Sequence, residues 1–317
     1  IADRVVVMQN GKVVEQGTRD EILSAPSHPY TKMLIGSVPS LTPPNRPIPE
    51  VAETALEAKA LNKTYGRVGL FENGRMVKAA QDVELILRRG ETLGVVGESG
   101  SGKSTVARCM VRLIDPTSGD INVAGTNIAQ MAESELRAYR QKIQIVFQDP
   151  YRSLNPRRTV GQSIVEGPMN FGLSGTEAQS RAENLMRIVG LAPEALTRFP
   201  HQFSGGQRQR ICIARALAME PRVLIADEAV SALDVSVQAQ VLRLLQDVRE
   251  RYDLAMLFIT HDLRVAAQIC DRIMVMQRGV VVEEGRTSEV YANPQHPYTR
   301  SLLNAAPGRE TNFARYS

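Results

Sequence analysis

The sequence predicts an α/β fold, and three patterns support this prediction. A short apolar run at Thr92–Val96 is followed by a glycine-rich loop and then by a helical pattern. A second apolar run, in Val223–Glu228, ends in two adjacent carboxylates, and a third lies at Ala255–Thr260. Strands that are apolar throughout are typical of a parallel sheet buried on both faces, whose functional residues gather at the carboxyl ends of the strands.

The composition limits the kind of protein. With 317 residues and 43% apolar content, the chain can bury the core of one large domain and still carry extensions. Its net charge of +4 is mild and it has no dense block of Lys and Arg, so composition does not favour nucleic-acid binding. No apolar run approaches the roughly 20 residues that span a bilayer. Cys109, Cys212 and Cys270 are far apart, which predicts reduced, buried thiols in a cytosolic compartment.

A long internal repeat indicates how the chain is organised. Residues 269–307 align with residues 1–39 without a gap, at an offset of 268 and with about half of the positions identical. Because this spacing is the size of a whole domain, we expect two similar domains in tandem in a longer parent chain. Residues 1–39 would then be the C-terminal remnant of the first domain, and a start at Ile1 agrees with a fragment. The alternative is a local duplication of a hairpin.

Each copy of the repeat predicts a β-hairpin. In the first copy, an alternating apolar run at Val5–Met8 leads into Asn10-Gly11, a pair suited to a tight turn of positive φ. The second copy has Arg278-Gly279 at the same place. The Pro-rich stretch 40–54 after the first copy predicts a semi-rigid linker. Because most of its own domain is missing, we expect the first hairpin to be poorly anchored or to pack opportunistically.

The glycine-rich loop matches the phosphate-binding pattern GxxxxGK[ST] in its proper setting, between a strand and a helix that we expect at Ser104–Leu113. Glycines allow backbone N–H groups to turn towards phosphate oxygens, and the helix N-terminus adds the positive end of its dipole. Lys103 would place a charge at the β- and γ-phosphates, and the Ser104 hydroxyl would ligate Mg²⁺. The residues expected to contact a nucleotide are Gly97, Ser99, Gly100, Ser101, Gly102, Lys103, Ser104 and Thr105.

The two carboxylates that end the second apolar run predict a hydrolytic centre. Asp227 would hold Mg²⁺, either directly or through water. Glu228 would act as the general base that polarises the attacking water, a role that requires hydrogen-bond reach first and a suitable pKa second. Together with the phosphate-binding loop, these residues predict a nucleoside triphosphatase.

Further residues, in a fixed order around these motifs, resemble the ATP-binding-cassette (ABC) ATPases. The matching positions are Tyr65, Gln148 after the strand Ile143–Phe147, the signature Ser204-Gly205-Gly206-Gln207, Asp234 in the run Ser231–Asp234, and His261. The resemblance covers roughly residues 55–307 and implies ATP and Mg²⁺ as cofactors. It implies that Gln148 senses Mg²⁺ and the γ-phosphate, that His261 steadies the γ-phosphate, and that Tyr65 stacks on adenine.

The resemblance also implies an architecture. We expect an α/β, RecA-like P-loop core with an antiparallel β subdomain and an α-helical subdomain. The ATPase domain would span residues 55–285, with the helical subdomain at about 150–215 and a C-terminal tail at 286–317. Within the helical region, a helical pattern runs over Gly161–Val189, with a predicted N-cap at Ser174 and Glu177 three residues later.

The sequence departs from the family's pattern at two places, and one residue assignment has an alternative. The signature opens with Phe203 in place of Leu, an apolar exchange that we expect to pack without effect. Ala229-Val230 follows Glu228 where many relatives have Pro-Thr, but the acid itself is kept. Tyr65 is the weakest assignment, because Phe71 lies nearby in an apparent insertion and is the alternative for stacking on adenine.

The signature predicts a partner. Ser204 is placed to cap a helix that we expect at Gly205–Met219, and a helix N-terminus of this kind is an anion site. The chain's own phosphates are already assigned to Lys103. In the family, the signature faces the γ-phosphate that a partner domain holds. The resemblance therefore implies a pair of ATPase domains, formed with the other half of a tandem chain or with a second copy.

Two short runs resemble the branch of the family that imports peptides. They are Asp149–Arg157 and His296-Pro297-Tyr298-Thr299, which is echoed at His28–Thr31. This branch takes up dipeptides, oligopeptides, glutathione or nickel, with two transmembrane permease subunits and a periplasmic or surface solute-binding protein. The resemblance therefore implies a peripheral protein on the cytoplasmic face of the bacterial inner membrane. The tail 308–317 has no cysteine, so we expect no iron–sulfur cluster, and we expect His296-Pro297-Tyr298 to dock the tail.

The main alternative is a soluble ABC ATPase that acts on nucleic acid or ribosomes. Such proteins usually carry coiled-coil, zinc-binding or arm insertions, and this sequence shows none. An inactive regulatory domain would lack Lys103 or Glu228, and both are present. We therefore expect no nucleic-acid partner.

Overall fold

The computed structural model describes residues 2–44, 46, 52–66 and 76–306. The strands are β1 (Arg4–Gln9), β2 (Lys12–Thr18), β3 (Thr54–Tyr65), β4 (Val77–Arg88), β5 (Thr92–Val96), β6 (Ser118–Val123), β7 (Thr126–Asn127), β8 (Ile143–Val146), β9 (Val223–Asp227), β10 (Ala255–Thr260), β11 (Arg272–Gln277) and β12 (Val280–Arg286). The helices are α1 (Arg19–Ser24), α2 (Pro29–Gly36), α3 (Lys103–Met110), α4 (Glu133–Arg140), α5 (Pro150–Ser153), α6 (Val160–Asn170), α7 (Gly175–Ile188), α8 (Gly205–Leu217), α9 (Val235–Tyr252), α10 (Leu263–Ile269), α11 (Thr287–Ala292) and α12 (Pro297–Asn304). Two 3₁₀ turns, Pro193–Thr197 and Pro200–Gln202, precede α8.

A six-stranded sheet lies at the centre, in the order β12-β11-β5-β10-β9-β8. Its strands are parallel apart from β12, which pairs antiparallel with β11. Thr260 at the end of β10 lies opposite Val96 at the end of β5, and Ile259 lies opposite Asp227 at the end of β9. This register brings the segments that follow the three strands to one edge of the sheet. The α/β class is confirmed.

The central sheet is buried on both faces, as its apolar strands predict. Along β10, Leu257 and Ile259 face a cluster shared with α3 and with a four-stranded antiparallel sheet of order β4-β3-β6-β7. Met256 and Phe258 face a second cluster, which α6, α7, α8, α9 and α10 cover. The result is an α/β core with an antiparallel β layer on one side and a helical region on the other, as predicted.

The helical region differs from its sequence prediction in its boundaries. The pattern over 161–189 is two helices, α6 and α7, because the chain turns at Gly172, where φ is +94°. The predicted cap is confirmed: Ser174 accepts the Glu177 N–H, and the Glu177 carboxylate accepts the Ser174 N–H. Two other helices end earlier than expected, α3 at Met110 and α8 at Leu217.

The hairpin of the first copy of the repeat forms a sheet of its own. Strands β1 and β2 make a two-stranded sheet of their own, with Asn10 and Gly11 both at positive φ in the turn. The register shifts between Val7 and Met8, and the second copy shifts at the equivalent place between Val275 and Met276. Both copies then add two short helices at equivalent positions. The repeat in the sequence is therefore a repeat of structure.

The junction between the first copy and the linker is held by two side chains of α10, one at each end of the helix. The Arg264 guanidinium donates to the Pro39 carbonyl over 2.9 Å. The Gln268 side-chain amide donates to the carbonyls of Ser40 and Thr42 over 2.9 and 3.0 Å. Helix α2 also packs against α9. The helical end of the first copy is therefore anchored to the α/β core, whereas its hairpin, for which the sequence predicts poor anchoring or opportunistic packing, joins neither of the larger sheets.

Two predictions from composition can be compared with the fold. All three cysteines are free and buried, and burial raises the pKa of the Cys109 and Cys212 thiols to about 11. Across the part of the chain that the structure describes, no helix combines the length and apolarity needed to cross a bilayer.

Candidate functional site

The phosphate-binding loop joins β5 to α3 at the edge of the central sheet. Gly102 stands at the N-cap of α3 with φ of +107°, and a Cβ there would lie 2.1 Å from the Ala79 carbonyl oxygen, so only glycine fits. This cap has no side-chain oxygen, whereas α7, α8 and α9 begin at Ser174, Ser204 and Asp234, which all cap their helices. The first-turn N–H groups of α3 are therefore available to an anion.

Lys103 is held inside the loop. Its side-chain Nζ donates to the carbonyl oxygens of Gly97 and Glu98, each over 2.8 Å. Only 4% of the residue is exposed, and burial lowers the pKa of the ammonium although Glu228 and Asp227 oppose this. A buried cation at the N-terminus of a helix without a side-chain cap fits a polyphosphate ligand, because the negative charge of the ligand would compensate the buried positive charge.

Ser104 and Asp227 meet beside Lys103. The Ser104 hydroxyl donates to Asp227 Oδ1 over 2.8 Å, and both residues line one groove with Gln148. Burial raises the pKa of the Asp227 carboxyl, and the Ser104 hydrogen bond opposes that shift. The described residues contain no cluster of three or more His, Cys, Asp or Glu side chains able to hold a metal ion. Hydroxyl, carboxylate and amide oxygens nevertheless fit Mg²⁺, which takes few protein ligands beside water and phosphate.

Glu228 and His261 form a second pair of contacting side chains in the candidate site, after Ser104 and Asp227. His261 Nδ1 lies 3.3 Å from Glu228 Oε2, and the two side chains are 53% and 18% exposed. Glu228 has φ of +51°, a left-handed conformation that a non-glycine residue adopts at a cost of about 1–3 kcal/mol. The Ser231 hydroxyl donates to the Glu228 carbonyl and accepts from Gln148 Nε2 over 3.1 Å. These contacts connect three sequence-predicted residues, Gln148, Glu228 and His261, around one strand edge.

A cleft of about 520 Å³ extends from the loop towards β3 and β4. Tyr65, 42% exposed at the end of β3, lines it together with Lys103 and Glu228, as an adenine-stacking residue would. The alternative residue, Phe71, lies outside the described residues. The predicted loop residues that line this cleft are Ser99, Gly100, Gly102, Lys103, Ser104 and Thr105. Gly97 and Ser101 lie in the same loop, and Ser101 Oγ is buried without a hydrogen-bond partner among the described residues.

The signature stands apart from this cleft. Ser204 caps α8 by accepting the Gln207 N–H, and Gln207 Oε1 accepts the Ser204 N–H over 3.0 Å. Gly206 packs so closely that a Cβ would lie 2.2 Å from Val237. Gly205 lines the neighbouring groove, which Ser104, Gln148 and Asp227 also line. None of the signature residues is among the described residues that line the Tyr65 cleft.

Asp234, another position of the resemblance to the ABC ATPases, caps α9. Its carboxylate accepts the Val237 N–H over 3.0 Å, and this bond lowers the pKa of Asp234. Asp234, too, is not among the described residues that line the Tyr65 cleft. Phe203 is 6% exposed and packs in the helical core, which confirms the expectation that it is packed.

Sequence reasoning missed two residues near the loop. Arg278 lines the Tyr65 cleft, although the sequence indicated only a turn at Arg278-Gly279. Tyr298 accepts a hydrogen bond from the Glu98 N–H over 3.1 Å. The doubled His-Pro-Tyr-Thr motif drew attention to this tyrosine but gave no sign of what it contacts.

Comparisons with known proteins agree with this geometry. The family described as ABC transporter matches residues 80–231. The family described as oligopeptide/dipeptide transporter, C-terminal region, matches residues 14–67 and 282–312, so the matches begin at equivalent positions of the two copies of the repeat and include residues 14–39 of the first and 282–307 of the second. The first of these segments includes residues outside the described structure.

Curated relatives include the glutathione import ATP-binding protein GsiA of Escherichia coli O157:H7, 46% identical over 99% of this chain and 55% of the relative. GsiA of Shigella dysenteriae serotype 1 is 45% identical over the same shares. The chain thus spans about half the length of the curated relatives that it matches.

Among solved structures, the dimeric ATP-binding cassette MJ0796 bound to ADP and inorganic phosphate is 30% identical, with a TM-score of 0.65 over 73% of this chain and 98% of that one. The chain belongs to the ABC transporter family of ATP-binding cassettes and carries the C-terminal region of its oligopeptide/dipeptide transporters.

Proposed function

We propose that this chain is an ATP-hydrolysing cassette that powers the import of peptides or related small solutes. The observation that carries the proposal is the convergence of Ser104 with Asp227, and of Glu228 with His261, beside the uncapped start of α3. The relatives named above are import ATP-binding proteins for glutathione, which supports a peptide-like cargo.

Each residue has a distinct part in the proposed site. The N–H groups of Gly100, Gly102, Lys103, Ser104 and Thr105, with the Lys103 ammonium, would hold the β- and γ-phosphates, while Gly97, Ser99 and Ser101 shape the loop. Tyr65 would stack on adenine. Ser104, Asp227 and Gln148 would hold Mg²⁺, which when bound neutralises charge that develops on the phosphates.

The proton chemistry belongs to the Glu228–His261 pair. Glu228 would accept the proton of the attacking water, since its carboxylate reaches the cleft and is directed by the 3.3 Å contact with His261 Nδ1. His261 would in turn steady the γ-phosphate. The left-handed backbone at Glu228 supports this assignment, because strained conformations concentrate at functional sites.

The proposed site is completed by a second cassette. Ser204, Gly205, Gly206, Gln207 and Asp234 stand outside the chain's own cleft, so they are free to face a nucleotide that a partner holds. The MJ0796 cassette, solved as a dimer, supports this arrangement. The partner would be the other ATPase domain of a tandem parent, which a repeat with matching structure at both ends favours, or a second copy of this chain.

We further propose a domain order and a location. Residues 1–39 would close a preceding ATPase domain, 40–54 would link the two domains, 55–285 would form this ATPase domain with its helical part at about 150–215, and 286–317 would form the tail. The cassette would lie peripherally on the cytoplasmic face of the bacterial inner membrane. There it would engage two permease subunits and, through them, a solute-binding protein.

The central experiment is the substitution Glu228→Gln in the full chain. It keeps the shape of the side chain and its contact with the cleft but removes the base. We expect ATP to bind as in the parent while turnover falls by roughly 100-fold or more, the usual size of a general-base contribution. Steady-state phosphate release and titration with a fluorescent ATP analogue would measure the two quantities.

Glu194→Gln serves as the control, because Glu194 is exposed in the helical region and is not among the described residues that line the cleft. Parental turnover in Glu228→Gln would show that Glu228 is not the base. Co-purification decides the wider function: two hydrophobic permeases retained with the chain would agree with import, whereas nucleic acid or ribosomes would favour the soluble ABC alternative.

A further inference from the structure

The motif His-Pro-Tyr-Thr occurs in both copies of the repeat, and the proposed ATPase site does not use it. Two residues of the second copy of the motif, His296 and Pro297, have structural roles. His296 Nδ1 accepts the Tyr298 N–H over 3.2 Å at the N-cap of α12, and Pro297 occupies the first helical position. Tyr298 remains to be explained.

The Tyr298 hydroxyl reaches the phosphate-binding loop. It accepts the Glu98 N–H over 3.1 Å, across 200 residues of sequence. The ring is half-buried against the helical core cluster, which fixes the position from which the hydroxyl points. The contact therefore joins the C-terminal segment to the second residue of the loop.

The bonded N–H belongs to a peptide unit that also contacts Lys103. That unit consists of the Gly97 carbonyl and the Glu98 N–H, and the carbonyl accepts from Lys103 Nζ over 2.8 Å. Hydrogen bonds on both sides of one peptide polarise each other and fix its plane. The orientation of this peptide sets where the Lys103 ammonium is held before a phosphate arrives.

The second copy of the repeat, residues 269–307, which includes Tyr298, also contacts the loop at a second point. In the turn between β11 and β12, the Gly279 N–H donates to the Ser101 carbonyl over 2.8 Å. Tyr298, Gln277 and Arg278 enclose a small cavity with the loop residues between these two anchors. The loop is thus held at two points, Glu98 and Ser101, by residues of the second copy of the repeat.

The first copy provides an internal comparison. His28 Nδ1 caps α2 by accepting the Tyr30 N–H over 3.1 Å, as His296 does in α12. Within the described part of the chain, however, the Tyr30 hydroxyl makes no hydrogen bond to a phosphate-binding loop. The local motif is therefore the same in both copies, and only Tyr298 meets the loop.

We propose that Tyr298 is a positioning residue for the phosphate-binding loop, so that docking of the C-terminal segment tunes the affinity of the cassette for a nucleoside triphosphate. This inference rests on the proposed ATPase function and adds a means of regulation to it. A partner that displaced α12 would weaken nucleotide binding without touching any residue that contacts the nucleotide.

The test is Tyr298→Phe in the full chain, which removes only the hydroxyl, with Tyr30→Phe as the matched control. Loss of one hydrogen bond predicts an ATP dissociation constant and KM raised about 3–10-fold, with kcat within about twofold of the parent. Without nucleotide, hydrogen exchange at the Glu98 amide should speed up by a similar factor. The melting temperature should stay close to that of the parent, and Tyr30→Phe should change none of these quantities.

The outcomes separate this inference from the function on which it rests. If the parent binds ATP and Lys103→Ala abolishes binding, while Tyr298→Phe keeps parental affinity and parental Glu98 exchange, the positioning role is wrong and the ATPase proposal stands. If the parent itself does not bind ATP, the proposed function fails and this inference fails with it. A fall in kcat at constant KM would also overturn it, because that pattern belongs to a group acting in the transition state.

Discussion

The two copies of the repeat share their secondary structure but differ in what surrounds them. In the second copy, β11 pairs in parallel with β5, and Met274 and Met276 are fully buried. In the first copy, the equivalent residues Val6 and Met8 are each 55% exposed. The hairpin, its bulge and its two helices are therefore encoded locally, whereas burial depends on a neighbouring sheet.

This difference bears on the proposed function. The second copy would help to build the proposed nucleotide site, since its turn and its tyrosine form hydrogen bonds with the glycine-rich loop. The first copy keeps the same motifs but presents an apolar face, lined by Val6, Met8 and Val13, that is exposed in the described structure. That face is what a preceding ATPase domain would cover, in line with the tandem organisation proposed above.

The largest contrast is expected in the free energy of unfolding after substitution of the methionine that the two copies share, Met8 in the first copy and Met276 in the second. Met276→Ala should lower the free energy of unfolding by about 2–5 kcal/mol, because it leaves a cavity in a packed core. Met8→Ala should change it by less than about 0.5 kcal/mol, since its side chain is largely in water. Urea denaturation monitored by circular dichroism would measure both. Equal losses would mean that the first hairpin is packed in solution as well as the second.

A smaller contrast is expected in backbone protection. Strand β11 is paired on both sides, with β12 and with β5, so its amides should exchange only when the domain unfolds. The amides of β1 need only the two-stranded sheet to open, so they should exchange about 100-fold faster or more. Hydrogen exchange followed by mass spectrometry resolves the two segments. Similar exchange rates in β1 and β11 would show that the two hairpins are equally protected, and would indicate that a partner covers the first hairpin.

The smallest effect concerns a carboxylate that holds each hairpin to its second helix. Glu15 accepts from the Ser27 hydroxyl and from the N–H groups of Ser27 and His28, and these bonds, led by the Ser27 hydroxyl, lower the pKa of Glu15 to about 2. In the second copy, Glu283 accepts the N–H groups of Gln295 and His296.

Since the folded pKa of Glu15 is below its ordinary 4.5, the unfolded carboxyl binds more protons between these values. The stabilising contribution of Glu15 is therefore complete above pH 4.5 and is lost as pH falls towards about 2. An NMR titration should place the Glu15 midpoint near 2 in the parent and higher in Ser27→Ala, with Ser37→Ala as the control. An unchanged midpoint in Ser27→Ala would show that the hydroxyl is not the main cause.

Much of the candidate site could be read from local patterns. The loop at Gly97–Thr105, the pair Asp227 and Glu228, and the cap at Ser174 each follow from a few adjacent residues whose chemistry is the same wherever they lie. The contacts between distant residues could not be read in this way. The 3.3 Å approach of His261 to Glu228 and the bridge from Gln148 through Ser231 depend on which strands are neighbours.

The sequence alone determined the α/β class, the hairpins with their turns, the helix caps and the residue types of the nucleotide site, because these depend on interactions within a few residues along the chain. Tertiary structure decided which copy of the repeat is buried, which side chains line the cleft with Lys103, and that Tyr298 rather than Tyr30 meets the phosphate-binding loop. Two segments with the same local preferences differ in burial and in contacts because a core sheet stands beside only one of them.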